Sequence, residues 1–278
     1  MSESIVIVGA KRTPIGAMQG KFNSVTASQL GATAIKAALE QAGVGPGEVD
    51  DLIMGCVLPA GQGQAPARQA ALGAGVATSA PATTVNKMCG SGMKALMLAA
   101  DQVRNGDAAI ALAGGLESMS NAPYLLLKAR SGYRMGNGEI IDHMFHDGLT
   151  SPWDGQAMGC FAENTADKYG FTRAMQDAFA AESVRRAQRA VRDGDFVAEI
   201  APVTLKTRKG EQVVSQDETP FALDIDKIPT LKPAFRKDGT VTAAASSSIS
   251  DGAAAIVIAS AAAATARGLK PIARIVSY

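Results

Sequence analysis

A thiol sits where a nucleophile would be useful. Cys89 lies in Val85-Asn86-Lys87-Met88-Cys89-Gly90-Ser91-Gly92-Met93-Lys94, where a β-prone stretch, Pro81 to Val85, gives way to a helical one. The pattern predicts a sulfur at the amino end of a helix, where unpaired N–H groups and the helix dipole favour a thiolate over a thiol. A thiolate is the competent nucleophile for covalent catalysis. Gly90 and Gly92 leave room for a substrate to approach. A buried, inert cysteine is the other reading of the same residue, and the local context does not separate the two.

A cysteine nucleophile needs a base. The chain holds two histidines, His143 and His146. One of them could reach Cys89 in space, but Asp142 beside His143 in a turn-rich stretch favours ordinary loop residues. Other chemistries fit less well. Gly9-Ala10-Lys11-Arg12 and Gly61-Gln62-Gly63-Gln64-Ala65-Pro66 fail the dinucleotide fingerprint, the latter because proline stands where the third glycine belongs. Gly90-Ser91-Gly92 lacks the spacing of a nucleophile elbow, and there is no HExxH or P-loop. Cys56, Cys89 and Cys160 are widely separated, without a CxxC pair. That argues against a zinc site or a disulfide framework and suits a reducing compartment.

The elements that must hold Cys89 read as α/β. With 278 residues, 47% hydrophobic and 19% charged, the chain can bury a substantial core. A formal net charge of +1 gives no electrostatic case for nucleic acid or an anionic membrane. Met1-Ser2-Glu3-Ser4 runs into Ile5-Val6-Ile7-Val8 without a cationic leader, and no apolar run is long enough to span a bilayer, so a cytoplasmic location is expected. Strands are expected at Ile5–Val8, Leu52–Met54, Pro81–Val85 and Ala108–Ala113. Helices are expected at Ser28–Gly43, Ala65–Leu72 and Ser91–Val103, the first with an N-cap at Thr26 or Ser28. Such alternation predicts a mostly parallel sheet covered by helices on both faces.

The pattern breaks near Ser120. As far as Val241 the chain is richer in charge, aromatics and turn residues, with one long amphipathic helix, Thr172 to Arg192, closed by Gly194. Arg185, Arg186, Arg189 and Arg192 on that helix read as a solvated face. The sheet pattern resumes at Gly252-Ala-Ala-Ala-Ile-Val-Ile-Ala, followed by a helix (Ala261 to Arg267) and a strand (Ile272 to Val276). The expected division is therefore one α/β domain, residues 1–120 with 242–278, interrupted by an inserted lobe, residues 121–241.

Several of these segments resemble the thiolases, the β-ketoacyl-CoA thiolases and acetyl-CoA acetyltransferases. They are Ile7-Val8-Gly9-Ala10-Lys11-Arg12-Thr13-Pro14-Ile15-Gly16, Gly61-Gln62-Gly63-Gln64-Ala65-Pro66-Ala67-Arg68-Gln69, Asn86-Lys87-Met88-Cys89-Gly90-Ser91-Gly92, Gly114-Gly115-Leu116-Glu117-Ser118-Met119-Ser120, Lys232-Pro233-Ala234-Phe235 and Asp251-Gly252-Ala253-Ala254-Ala255. They are collinear and span nearly the whole chain. The resemblance implies a thiolase-like amino-terminal α/β domain carrying a CoA-binding loop domain, with acetyl-CoA and 3-ketoacyl-CoA as substrates and no permanently bound cofactor or metal. It makes Cys89 the residue that takes the acyl group as a thioester. Met158 would lie near the acyl pocket, Ala234 and Phe235 along the pantetheine, and Ser247 near the thioester. Lys206, Arg208 and Lys209 could meet CoA phosphates or form a solvated loop. A homodimer or homotetramer is implied.

Two departures from the thiolase pattern matter. Where many members have Gly-Asn-Ala-Ser-Gly, this chain has Ala244-Ala245-Ser246-Ser247-Ser248, whose extra Cβ atoms could narrow a channel or stiffen a loop. Members also carry a second α/β half with an Asn-Glu-x-Phe segment, a Gly-His-Pro histidine and a Cys-x-Gly-Gly-Gly cysteine, none of which occurs in these 278 residues. Without that base and oxyanion hole, little turnover is expected from the chain alone. A ketoacyl-synthase-like condensing enzyme, a non-enzymatic CoA-binding or dimerising half-module, and a redox-sensing thiol are the competing readings.

Overall fold

The structure, a computed structural model, describes residues 4–278; Met1–Glu3, the start of the amino terminus expected to lack a leader, lie outside the described residues. In chain order the elements are β1 (Ile5–Arg12), β2 (Gly16–Ala17), α1 (Ala27–Ala42), β3 (Asp51–Gly55), α2 (Pro66–Gly73), β4 (Ala82–Val85), α3 (Ser91–Asn105) and β5 (Ile110–Ser118). Next come β6 (Tyr124–Leu125), β7 (Ile141–Asp142), α4 (Met158–Tyr169), α5 (Arg173–Asp193), β8 (Val203–Thr207) and β9 (Gly210–Val214). The last three are β10 (Ser250–Ser260), α6 (Ala261–Ala266) and β11 (Ala273–Ile275). They form two compact units. The first holds residues 4–121, Ala198–Gln216 and Ser250–Tyr278; the second holds Ala122–Val197 and Asp217–Ile249.

In the first unit the sheet order is β11-β1-β10-β5-β3-β4, with β2 also paired to β10. β5, β3 and β4 are parallel neighbours. β10 is antiparallel to both β1 and β5, and β11 is antiparallel to β1. Four strands of the path, β1, β3, β4 and β5, therefore run the same way. The expected parallel direction holds for them, while every pairing made by the two late strands is antiparallel.

Alternation along each strand divides the core in two. Val6, Val8, Leu52, Met54, Ile110, Leu112 and Val257 face α1 and α2, whereas Ile5, Ile53, Ala111, Ala113 and Ile258 face α3. Burial on both faces explains why these strands read as continuous apolar runs. α1 starts as its sequence dictates: Thr26 caps the first turn in a capping box with Gln29, and Gly43 ends the helix at φ 69°. α5 is likewise capped by Thr172 and closed by Gly194.

The boundary of the inserted lobe differs from the sequence expectation. The β8–β9 hairpin falls within 121–241, yet Val203, Leu205 and Val214 are buried in the α1-side core of the first unit. Arg12 carries the same segment, its N–H donating to Glu199 O and its carbonyl accepting from Ala201 N–H. The hairpin's polar outward residues mask a period-2 apolar face. In the second unit α4 and α5 are the long elements, and Arg185, Arg186, Arg189 and Arg192 are all exposed, as a solvated face requires. No described helix is long and apolar enough to cross a membrane. Among the described residues no group of three or more His, Cys, Asp or Glu is placed to hold a metal ion.

Candidate active site

Cys89 is exposed, whereas Cys56 is buried and Cys160 half-buried. The inert-cysteine reading thus fits Cys56 rather than Cys89. α3 begins two residues beyond the sulfur, with Gly90 as its N-cap. The intervening turn is unusual because Met88 has φ 49°, one of three non-glycine residues described with positive φ. A left-handed residue bearing a Cβ costs roughly 1–2 kcal/mol, so the surroundings must hold it. They do so from two sides. Ser91, 4% exposed, accepts from Lys87 N–H at 2.8 Å and donates from its hydroxyl to Met88 O at 2.6 Å. Asn86 Oδ1 accepts from Met88 N–H at 2.9 Å.

The floor beneath this turn is made of glycine. A Cβ on Gly55 would lie 2.6 Å from the Ser91 backbone carbon and 2.7 Å from Gly92 N. One on Gly114 would overlap the Ala254 carbonyl, and one on Gly115 would approach Gly92 Cα to 3.6 Å. Bare backbone at Gly55, the last residue of β3, and at Gly115, within β5, thus lets the start of α3 settle directly on the sheet. Above it opens a hollow of about 360 Å³ lined by Cys89, Met88, Gly92, Gly115, Glu117 and Gly252, among others.

Two carboxylates, half-buried Glu117 and buried Asp251, brace the rim. Glu117 Oε2 accepts from Val57 N–H at 2.8 Å, and its Oε1 accepts from Leu58 N–H at 3.0 Å and from the Cys56 thiol at 3.5 Å. Burial, followed by the charge and hydrogen bond of Glu117, pushes the Cys56 thiol up to about 12. Cys56 is therefore a protonated donor, not a nucleophile. Asp251 is fully buried; its Oδ1 accepts from the Ser118 hydroxyl at 3.3 Å and from Ser120 N–H at 2.9 Å.

The remaining expected residues lie in the second unit. Met158 is the first residue of α4 and is exposed. The Phe235 ring packs against the next residue, filling the space a Gly159 side chain would need. Ala234, also exposed, donates its N–H to Val241 O at 2.9 Å. The structure so groups Met158, Ala234 and Phe235 around the start of α4. Ser247 is exposed in the extended segment after the Ala243–Ala245 turn, which Thr242 caps. No residue from Ala244 to Ser248 has positive φ, so side chains in place of glycine introduce no backbone strain there. Lys206, Arg208 and Lys209 are exposed on the β8–β9 hairpin of the first unit.

His143 departs from its sequence reading as an ordinary loop residue. It is 5% exposed, its Nδ1 is 2.5 Å from Asp147 Oδ2, and its Nε2 has no hydrogen-bond partner among the described residues. Asp142, its sequence neighbour, instead accepts from Met144 N–H. The residues that sequence reasoning missed altogether are Asn86, Ser91 and Glu117, whose side chains act on backbone groups. Only the Asn86-x-Met88 spacing of an Asx turn could have betrayed one of them.

The site is an exposed cysteine on a strained strand-to-helix turn, over a glycine floor in an α/β sheet. Residues 5–262 match the family model described as thiolase, N-terminal domain, and the chain belongs to the thiolase family. It is 52% identical over 278 residues to an acetyl-CoA acetyltransferase of Escherichia coli (strain K12), covering 99% of this chain and 71% of that protein. It is 50% identical over 278 residues to the acetyl-CoA acetyltransferase of Pseudomonas aeruginosa, with the same two coverages. Among solved structures, the acetyl-CoA acetyltransferase from Syntrophomonas wolfei superposes with a TM-score of 0.95 at 43% identity, over 99% of this chain and 69% of that one.

Proposed function

We propose that this chain accepts an acyl group from acyl-CoA onto Cys89, the first half of acyl transfer between CoA thioesters. The single observation that carries the reading is the exposed Cys89 sulfur at the amino end of α3, on the left-handed turn over the glycine floor. The thiolate attacks the thioester carbonyl, the tetrahedral intermediate collapses, the CoA thiolate leaves, and a thioester remains on Cys89. The N–H groups of the turn and helix start supply positive potential near the developing oxyanion. In the degradative direction the same sulfur attacks the ketone of a 3-ketoacyl-CoA and the carbon–carbon bond breaks. Acetyl-CoA leaves as an enolate that must be protonated, and a second CoA then takes the acyl group.

Met158, Ala234, Phe235 and Ser247 of the second unit are assigned to CoA, with Phe235 and Met158 offering apolar contact to pantetheine or the acyl chain. Lys206, Arg208 and Lys209 are candidates for the CoA phosphates. The base, the second cysteine and the oxyanion asparagine of the thiolase pattern have no counterpart in these 278 residues. We therefore expect acylation of Cys89 with little turnover by this chain alone, and activity when a complementing carboxy-terminal half is supplied. Association into a homodimer or tetramer is expected; β4, at the end of the strand order, offers an open edge for it.

The test is intact-mass analysis with peptide mapping after incubation with acetyl-CoA. One acetyl group on Cys89 supports the reading. No adduct on a folded protein would leave the chain as a CoA-binding scaffold, and efficient thiolysis by the purified chain would overturn the expected dependence on a second half.

A further inference from the structure

We propose that Asn86 is a positioning residue for Cys89, its side chain holding Met88 in the left-handed conformation that presents the thiol. The residue before the nucleophile is where the turn is strained, at φ 49°. Its carbonyl is tied by Ser91, through both the hydroxyl and the backbone N–H. Its N–H has one side-chain partner, Asn86 Oδ1 at 2.9 Å. An asparagine oxygen accepting from the N–H two residues on is an Asx turn, which defines the backbone of the residue between them as well.

What distinguishes Asn86 from an ordinary turn asparagine is its other end. Nδ2 donates to Val57 O at 3.2 Å, and Val57 N–H is in turn held by Glu117 Oε2 at 2.8 Å. The bond to Met88 is thereby tied to the loop after β3 and to the end of β5. Asn86 touches neither the sulfur nor any reacting atom. Its effect passes through the Met88–Cys89 peptide, whose orientation sets both the Cys89 N–H and the direction of its Cα–Cβ bond. Loss of the side chain would let Met88 relax to negative φ and rotate that peptide. The inference rests on Cys89 being the acyl acceptor, so its test uses iodoacetamide, which reports presentation of the thiol whether or not acetyl-CoA acylates it.

The experiment is a double-mutant cycle on the full chain, with Asn86→Ala in the Met88 background and in a Met88→Gly background, where glycine takes positive φ without strain. Alkylation of Cys89 is followed by peptide mapping from pH 7 to pH 10, with Cys160 in the same sample as internal reference. In the Met88 background Asn86→Ala should slow Cys89 by about tenfold across the range while Cys160 is unchanged. In the Met88→Gly background the same substitution should change the rate less than about twofold. Equal effects in both backgrounds, or no slowing in the first, would overturn the proposal. Should Asn86→Ala fail to fold, the combined variant must fold and react within about twofold of Met88→Gly; if it does not, the proposal falls.

Discussion

The ring of Phe235 occupies the space where a side chain on Gly159 would be. Helix α4 starts one residue earlier, at Met158, so a glycine in its first turn is what lets an aromatic ring lie against the helix backbone. Cys160 Sγ also lies 4.0 Å from Phe235 O. Gly159→Ala should expel the ring and weaken CoA binding by about tenfold, on the order of one buried aromatic contact. Isothermal titration with CoA checks this, and unchanged affinity would remove Phe235 from the CoA site.

The glycine floor makes a separate prediction. Gly114 faces the Ala254 carbonyl across the β5–β10 pair, so Gly114→Ala forces two backbones apart and should destabilise by about 1–3 kcal/mol. Gly55→Ala pushes instead against Ser91 and Gly92, and so should slow acylation of Cys89 by more than its stability loss explains. Denaturant melts alongside the acetyl-CoA mass assay separate the two effects.

Cys56 gives the molecule a defined alkaline sensitivity. Its thiol is pushed up to about 12, first by burial and then by Glu117, whereas an unfolded cysteine ionises near 8.5. Above that pH the unfolded state has lost a proton that the folded state still holds, so stability is full below about pH 8.5 and falls as pH rises towards 12. The slope contributed is at most about 1.4 kcal/mol per pH unit. Cys56→Ala should flatten this part of the stability profile between pH 9 and pH 11; identical slopes in the two proteins would show that the thiolate is tolerated.

Glu163 should be the most sensitive polar residue of the second unit. It is fully buried, and its two oxygens accept from Thr240 N–H and Val241 N–H at 2.9–3.0 Å and from the Thr240 hydroxyl at 3.3 Å. Glu163→Ala strands those donors, at about 1–3 kcal/mol for each buried group left unpaired. Hydrogen exchange should register faster exchange at Thr240 and Val241, with β5 and β10 amides unchanged.

The parts of this molecule that were legible in its sequence are those written in local code. A cap at Thr26 or Ser28, Gly43 and Gly194 as helix ends, and the apolar runs of β1, β3, β5 and β10 all follow from neighbours within a few residues. The place of Cys89 just before α3 was legible because a β-prone run turning helical around a glycine pair is a local pattern too. Glu163 was not, since its partners lie 77 and 78 residues away. Nor was Glu117, which braces Val57 and Leu58 from 60 and 59 residues away. His143 misled because a histidine beside an aspartate in a turn-rich stretch reads as solvated, while its actual partner is Asp147, one turn further on. The β8–β9 hairpin misled for a related reason: charged outward positions diluted an alternation of only a few buried residues.

The position of β10 has a consequence for how the chain is made. It is the strand that β1 and β5 both require, yet it begins at Ser250, long after β5 ends at Ser118. At ribosomal rates of about 5–20 residues per second, β5 waits roughly 7–26 seconds for its neighbour, and β1 waits longer still. During that interval each has an edge with unanswered N–H and C=O groups, the kind of surface that captures other strands. A central strand made after both of its long neighbours places the greatest risk of misassembly before the sheet can close rather than after.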